Sequence, residues 1–216
     1  MTEVRFGIIG YGNIAGTHLS FFDKNEIPDA RVTAIFDTDK SRADKAREKY
    51  KGKIAVFDNE EEFFSSGLFD AILICSPHYH HPHYAIKGFE HNLHVLCEKP
   101  AGVYTKQVRE MNEACRHHKH LVFAMMYNQR TNPLYRKVRN MVQSGEYGEI
   151  RRCVWIITDW FRTQRYYDSG GWRATWAYEG GGVLLNQDPH QLDLWQWICG
   201  MPVRVRAFLG FGKFHD

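Results

Sequence analysis

Short, nearly unbroken apolar runs alternate with stretches of helical period through the first half of the chain. Val4-Arg5-Phe6-Gly7-Ile8-Ile9 is β-rich and runs directly into Gly10-Tyr11-Gly12-Asn13-Ile14-Ala15, after which a helix is expected through about Phe22. Further strands are expected at Arg31 to Phe36, Ile54 to Phe57, Ala71 to Cys75, Leu93 to Cys97 and Leu121 to Met126. Helices are expected from Lys40 to Tyr50, from Glu60 to Phe64, from Pro82 to Glu90 and from Thr105 to His118. Strands that lack polar alternation are buried on both faces. The pattern therefore predicts an α/β fold, a doubly wound parallel sheet of Rossmann type.

The rhythm changes after Arg130. Asn132-Pro133 opens a helix that should end near Ser144-Gly145, with proline in its first turn and glycine at its exit. Ile150 to Asp159 and Val203 to Gly210 read as strands, and Gly180-Gly181-Gly182 precedes a helix from about Val183 to Cys199. Between them, Phe161 to Tyr178 is a polar, aromatic loop too long for a simple connector. The division that follows is a dinucleotide-binding domain over 1–126 and a substrate and oligomerisation domain over 127–216. Two strands cannot bury a sheet face well, so this second, α+β domain is expected to be incomplete, a fragment of a longer protein.

The bulk numbers narrow the field only modestly. Across 216 residues, 44% apolar and 25% charged is ordinary globular composition, and a net charge of +3 with scattered basic residues points away from nucleic acid. No apolar run is long enough to cross a bilayer, and the N-terminus has no signal-peptide pattern. Five cysteines without CxxC spacing suggest free thiols and a cytoplasmic protein.

Chemistry-bearing residues fall at strand ends. In the glycine turn, Gly10 permits the bend, Gly12 lets backbone approach a diphosphate, and Ala15 allows close helix–strand contact. Asn13 and Ile14 open the helix whose amides would face that group. Asp37 ends the second strand where a ribose would lie, favouring NAD over NADP, although nearby Lys40 and Arg42 keep NADP possible. Ser76, Pro77, His78 and His81 follow the fourth strand, and Glu98 and Lys99 follow the fifth, with Pro100 restricting the backbone; the six before Pro100 are all expected to contact the cofactor. The HxHHxH run at His78, His80, His81 and His83 fits no standard structural zinc spacing, so no metal is expected. Lys99 can stabilise charge on a substrate oxygen and His190 can act as a general base. Asn186, His190 and Asp193, spaced by four and three, are expected on one helix face, with Asp193 available to orient His190. Asn128, Arg130, Tyr167, Trp172, Arg173 and Asn186 are candidates to line a substrate site with Lys99 and His190.

At these residues the chain resembles the Gfo/Idh/MocA oxidoreductases. The glycine turn, Ser76-Pro77 with His81, Glu98-Lys99-Pro100, and Gly180-Gly181-Gly182 through His190-Gln191-Leu192-Asp193 occur in that family's order. The resemblance implies a second domain with a large, mostly antiparallel sheet bearing the substrate site and often the oligomer interface. It also implies NAD(P)-linked oxidation of a secondary alcohol on a sugar, inositol or related polyol, with a homo-oligomer, dimer or tetramer, for the complete protein. By position Lys99 matches the family's EKP lysine and His190 its catalytic histidine. The family often has aspartate where this chain has Asn186, which leaves the acid–base work to Lys99 and His190. The alternative is a non-catalytic NAD(P)-binding sensor.

Overall fold

In the computed structural model, which describes residues 3–158, 161–168 and 171–210, the chain divides into two units, 1–126 and 127–216. The first contains strands β1 (Val4–Ile9), β2 (Ala30–Phe36), β3 (Ala55–Phe57), β4 (Ala71–Ile74), β5 (His94–Cys97) and β6 (Phe123–Met125). Helices α1 (Asn13–Asp23), α2 (Lys40–Tyr50), α3 (Glu60–Ser65), α4 (His81–Glu90) and α5 (Thr105–His117) connect them. All six strands are parallel, in the order β3-β2-β1-β4-β5-β6. This is the doubly wound arrangement whose strand order reverses beside β1, where ligands bind outside the carboxyl ends of the strands.

Alternation along the strands explains why helices cover both faces. Ile8, Leu73 and Cys75 pack with Ala15 and Leu19 of α1 and Ala46 and Tyr50 of α2. Ile9, Ile72, Ile74, Val95 and Cys97 face the other way, against Phe63, Phe64, Tyr84, Ala85, Phe89 and Met111. Successive residues thus feed two separate cores, so each strand must be apolar at nearly every position. Two of the connecting helices begin where side chains supply the missing acceptors. Asp39 accepts from the Ser41 amide at 2.9 Å to start α2, and Asn59 accepts from the Glu62 amide at 3.0 Å to start α3.

The second unit is helical among its described residues. It has a 3-10 turn at Asn128–Thr131, then α6 (Pro133–Gln143), α7 (Gln164–Asp168), α8 (Val183–Asn186) and α9 (Pro189–Cys199). α6 packs on α9, where the Arg139 guanidinium lies 4.9 Å from the Trp197 ring centre. Two expectations change here. The helix expected from Val183 to Cys199 is broken at Gln187-Asp188, because Pro189 lacks an amide donor and disfavours helical backbone at the residue before it. Of the segments read as strands, Ile150 to Asp159 and Val203 to Gly210, residues 150–158 and 203–210 make no ladder among the described residues, and Asp159 lies outside them. Their apolar side chains are open, Ile156 at 77% and Val203 at 97% exposure. Strand propensity names a segment but not its partner, and a strand exists only when paired.

Candidate functional site

In the first unit the glycine turn follows β1 and is fixed from both sides. Gly10 has φ +90°, and a Cβ there would sit 2.9 Å from the Cys75 carbonyl carbon and oxygen, so only glycine fits between β1 and the β4 exit. The Gly10 amide donates to the Phe36 carbonyl at 2.7 Å. Asp37, buried at the end of β2, accepts from the Tyr11 amide at 2.7 Å and the Asp39 amide at 2.8 Å, with the Arg42 guanidinium 3.9 Å away. Its carboxylate therefore ties the turn to the neighbouring loop while keeping lone pairs for further donors.

Gly12 is the N-cap of α1, supplies no side chain to the first-turn amides, and has open space where a Cβ would stand. Exposed Asn13 and Ile14 follow it. An uncapped helix start beneath open space is a place for an anion, and a diphosphate fits it. Ser76 adds a buried hydroxyl that has no hydrogen-bond partner among the described residues.

At the end of β5, Glu98 is buried and Lys99 half-buried; the Lys99–Pro100 peptide is cis. Glu98 Oε2 accepts from the Lys99 amide at 3.2 Å, and Oε1 lies 2.8 Å from His18 Nε2. His18, on α1, was not among the sequence candidates. Nothing in a one-dimensional pattern marks a contact across eighty positions.

His81 is buried at the start of α4. It is 1% exposed, with Nδ1 2.6 Å from the Pro100 carbonyl and Nε2 2.8 Å from the Ser76 carbonyl. It braces the β4 and β5 exit loops against each other. Burial lowers its pKa, while the two carbonyls and Glu98 oppose that shift. His78 is buried in the 3-10 turn His78–His80, its ring 5.9 Å from that of His81, and Pro77 precedes it. His83 pairs with Glu60 at 3.1 Å.

In the second unit His190 stands in the first turn of α9, edge-on to the Tyr127 ring at 6.2 Å. Because the helix breaks before Pro189, Asn186 and His190 do not share one continuous helical face. Asp193 does not orient His190 either: its two oxygens take a bidentate grip from Arg130, Nε at 2.7 Å and Nη2 at 2.6 Å. Arg130, expected to line a cleft, is thus a strut between the 3-10 turn and α9. Asn186 is buried and its amide donates to Glu179 Oε1, while Glu179 Oε2 accepts from the Ala174 amide at 2.9 Å. Glu179 was also missed; the available signal was an acidic residue set directly against three glycines.

Trp172 and Arg173 are half-buried in the loop that Glu179 anchors, with the Arg173 guanidinium 5.0 Å from the Trp172 ring centre. Burial raises the Tyr167 pKa, and Glu179 and Tyr166 raise it further. Asn128 is exposed in its 3-10 turn.

The first unit thus has the form of a dinucleotide-binding domain: a parallel sheet, a glycine turn under a helix start, and an acidic residue ending β2. Comparison with known proteins agrees. Residues 4–126 match an oxidoreductase family described as having an NAD-binding Rossmann fold, and residues 135–215 match the GFO/IDH/MocA C-terminal domain. The chain belongs to the Gfo/Idh/MocA oxidoreductase family.

Among its relatives are a D-glucoside 3-dehydrogenase of Escherichia coli K12, 30% identical over 93% of this chain and 55% of the relative, and an inositol 2-dehydrogenase of Corynebacterium glutamicum, 29% identical over 93% and 56%. A WlbA dehydrogenase from Chromobacterium violaceum, solved with NADH and UDP-GlcNAcA, superposes with a TM-score of 0.79 at 25% identity, covering 93% of this chain and 56% of that one. The chain spans about half the length of the curated relatives it matches. Among the described residues, no helix is long and apolar enough to cross a membrane.

Proposed function

We propose that this protein is an NAD(P)-dependent dehydrogenase that moves a hydride between nicotinamide and a secondary alcohol or ketone of a sugar, inositol or related cyclic polyol. The observation that carries the reading is the Gly10–Gly12 turn, clamped by Asp37 at the carboxyl edge of the same sheet from which Glu98 and Lys99 emerge. Family membership and the names of the relatives, which span sugar and inositol dehydrogenases, support it.

When bound, the nicotinamide cofactor supplies the two-electron acceptor for the hydride from the carbinol carbon. The chain itself handles binding and the proton. The amides at the start of α1 hold the diphosphate, and Asp37 takes the adenosine ribose hydroxyls and repels a 2′-phosphate, which favours NAD. His190 removes the hydroxyl proton, and the Lys99 ammonium stabilises the oxygen as it becomes a carbonyl. Asn186, which cannot take a proton, has no part in that transfer.

The test is turnover on a broad polyol and sugar panel, followed by absorbance of the reduced cofactor, together with NADH titration by fluorescence. Lys99→Met and His190→Ala should each lower kcat by about a hundredfold or more while changing NADH affinity little. Near-normal turnover in both variants defeats the mechanism. Tight NADH binding with no turnover on any substrate would instead favour a sensor.

A further inference from the structure

Arg173 has a setting that a neutral polyol does not explain. Its guanidinium lies 4.1 Å from the Tyr166 ring centre and 5.0 Å from that of Trp172, and Nη1 donates to the Tyr166 hydroxyl. Among the described residues no carboxylate stands within ion-pair distance, and its Nε is enclosed without a hydrogen bond. Asp168, the acidic side chain described in its loop, and Glu179, just past the loop's end, are otherwise engaged. Asp168 accepts from Gln164 at 3.0 Å, and Glu179 is held by the Ala174 amide and by Asn186. A guanidinium is charged at every working pH, so half-burying one without a counter-ion is unfavourable unless something else brings the anion.

The backbone beside it is also held in an uncommon state. Ala174 has φ +55°, a left-handed conformation that a residue with a Cβ avoids. The brace that holds it there is Glu179, 2% exposed, which accepts the Ala174 amide and also ties down Asn186, the last residue of α8. Strain next to an uncompensated cation, fixed by a buried carboxylate to the helix that precedes His190, is the organisation of a binding residue rather than of a surface loop.

We propose that Arg173 recognises an anionic group on the substrate, so the preferred substrate is a sugar or cyclitol bearing a carboxylate or a phosphate, not a neutral polyol. This rests on the dehydrogenase reading for the word substrate, but the anion site itself does not. The flat fork, backed by Tyr166 and Trp172, presents paired donors that match either anion.

The experiment is a titration of the purified protein, with and without saturating NADH, using D-glucuronate, D-glucose 6-phosphate, D-glucose and myo-inositol as probes. Heat of binding and quenching of tryptophan fluorescence, to which Trp172 contributes, are the readouts. At least one anionic probe should bind about tenfold or more tightly than its neutral counterpart, and the preference should shrink as salt is raised. Glucuronate alone, or the phosphate alone, identifies the anion; both together support the proposal equally.

In Arg173→Gln the ratio of anionic to neutral affinity should fall to within about twofold of unity. Arg173→Lys, which keeps the charge and loses the fork, should fall between, and it serves where Arg173→Gln fails to fold. Equal binding of neutral and anionic probes, an unchanged ratio in both variants, or binding of none of the four overturns the proposal. NADH titration of the same samples separates the two readings. Protein that ignores NADH yet prefers anions keeps this site and loses the redox reading.

Discussion

Glu179 and Asn186 are both buried and hydrogen-bonded to each other, and hydrogen-bond chemistry dictates that one of them be a donor. An ionised carboxylate only accepts, so an amide at 186 satisfies Glu179 where an aspartate would place two carboxylates in one dry site. The departure from the family's common aspartate is thereby explained by a partner seven residues upstream. Asn186→Asp should destabilise the protein by about 2–4 kcal/mol, lowering Tm by about 5–10 °C. Adding Glu179→Gln reverses the roles, with the glutamine amide donating to the new carboxylate, and should recover most of that loss. Thermal unfolding of wild type, both single variants and the double variant gives the coupling. Additive losses would show that the two side chains do not depend on each other.

Elements carry the second kind of information, and here the sequence was unevenly legible. β1, β4 and β5 feed two cores at once, so their apolar runs are continuous and identify a parallel sheet without ambiguity. Strand-end positions followed directly, which is why Gly10, Asp37, Ser76 and Lys99 could be singled out from order alone. What could not be read were links between elements. His18 on α1 meets Glu98 beyond β5, His81 spans two loops, and Arg130 takes the carboxylate first assigned to His190's support. Periodicity describes one element at a time and is silent on its neighbours. It failed in the same way at Asp188-Pro189, where the helix-compatible pattern outweighed the missing proline amide, and at 150–158 and 203–210, where strand-like residues have no ladder.

The His18 link has a measurable consequence. Removing the imidazole leaves the buried Glu98 carboxylate without its side-chain donor, so His18→Ala should cost about 1–3 kcal/mol in denaturant unfolding. His18→Gln, whose amide can still donate, should lose less than half as much. Equal losses in the two variants would mean that ring packing, not the hydrogen bond, is what matters.

At the scale of the whole molecule, the proposed cofactor residues and the core that places them lie within 1–126. Both faces of the six-stranded sheet are covered by helices from that same stretch, with Phe63 stacked on Phe69 at 4.5 Å and on Phe36 at 5.5 Å near the centre of the larger cluster. A core closed on both sides by local connections meets the requirement for independent folding. The second unit differs: its described segments at 150–158 and 203–210 leave large apolar side chains open, including Phe208 at 97% exposure. The first unit expressed alone should therefore fold cooperatively and bind NADH within about threefold of the affinity of the 216-residue chain, since the proposed contacts go with it. The isolated second unit should bind hydrophobic dyes and unfold without a sharp transition, because exposed apolar area of this kind opposes a unique compact state. Circular dichroism, denaturant melts and NADH fluorescence titration on the three proteins decide the matter. An unfolded first unit, or a loss of NADH affinity beyond about tenfold, would show that the second unit supplies part of the cofactor site, and the assignment of binding to the sheet edge alone would have to be withdrawn.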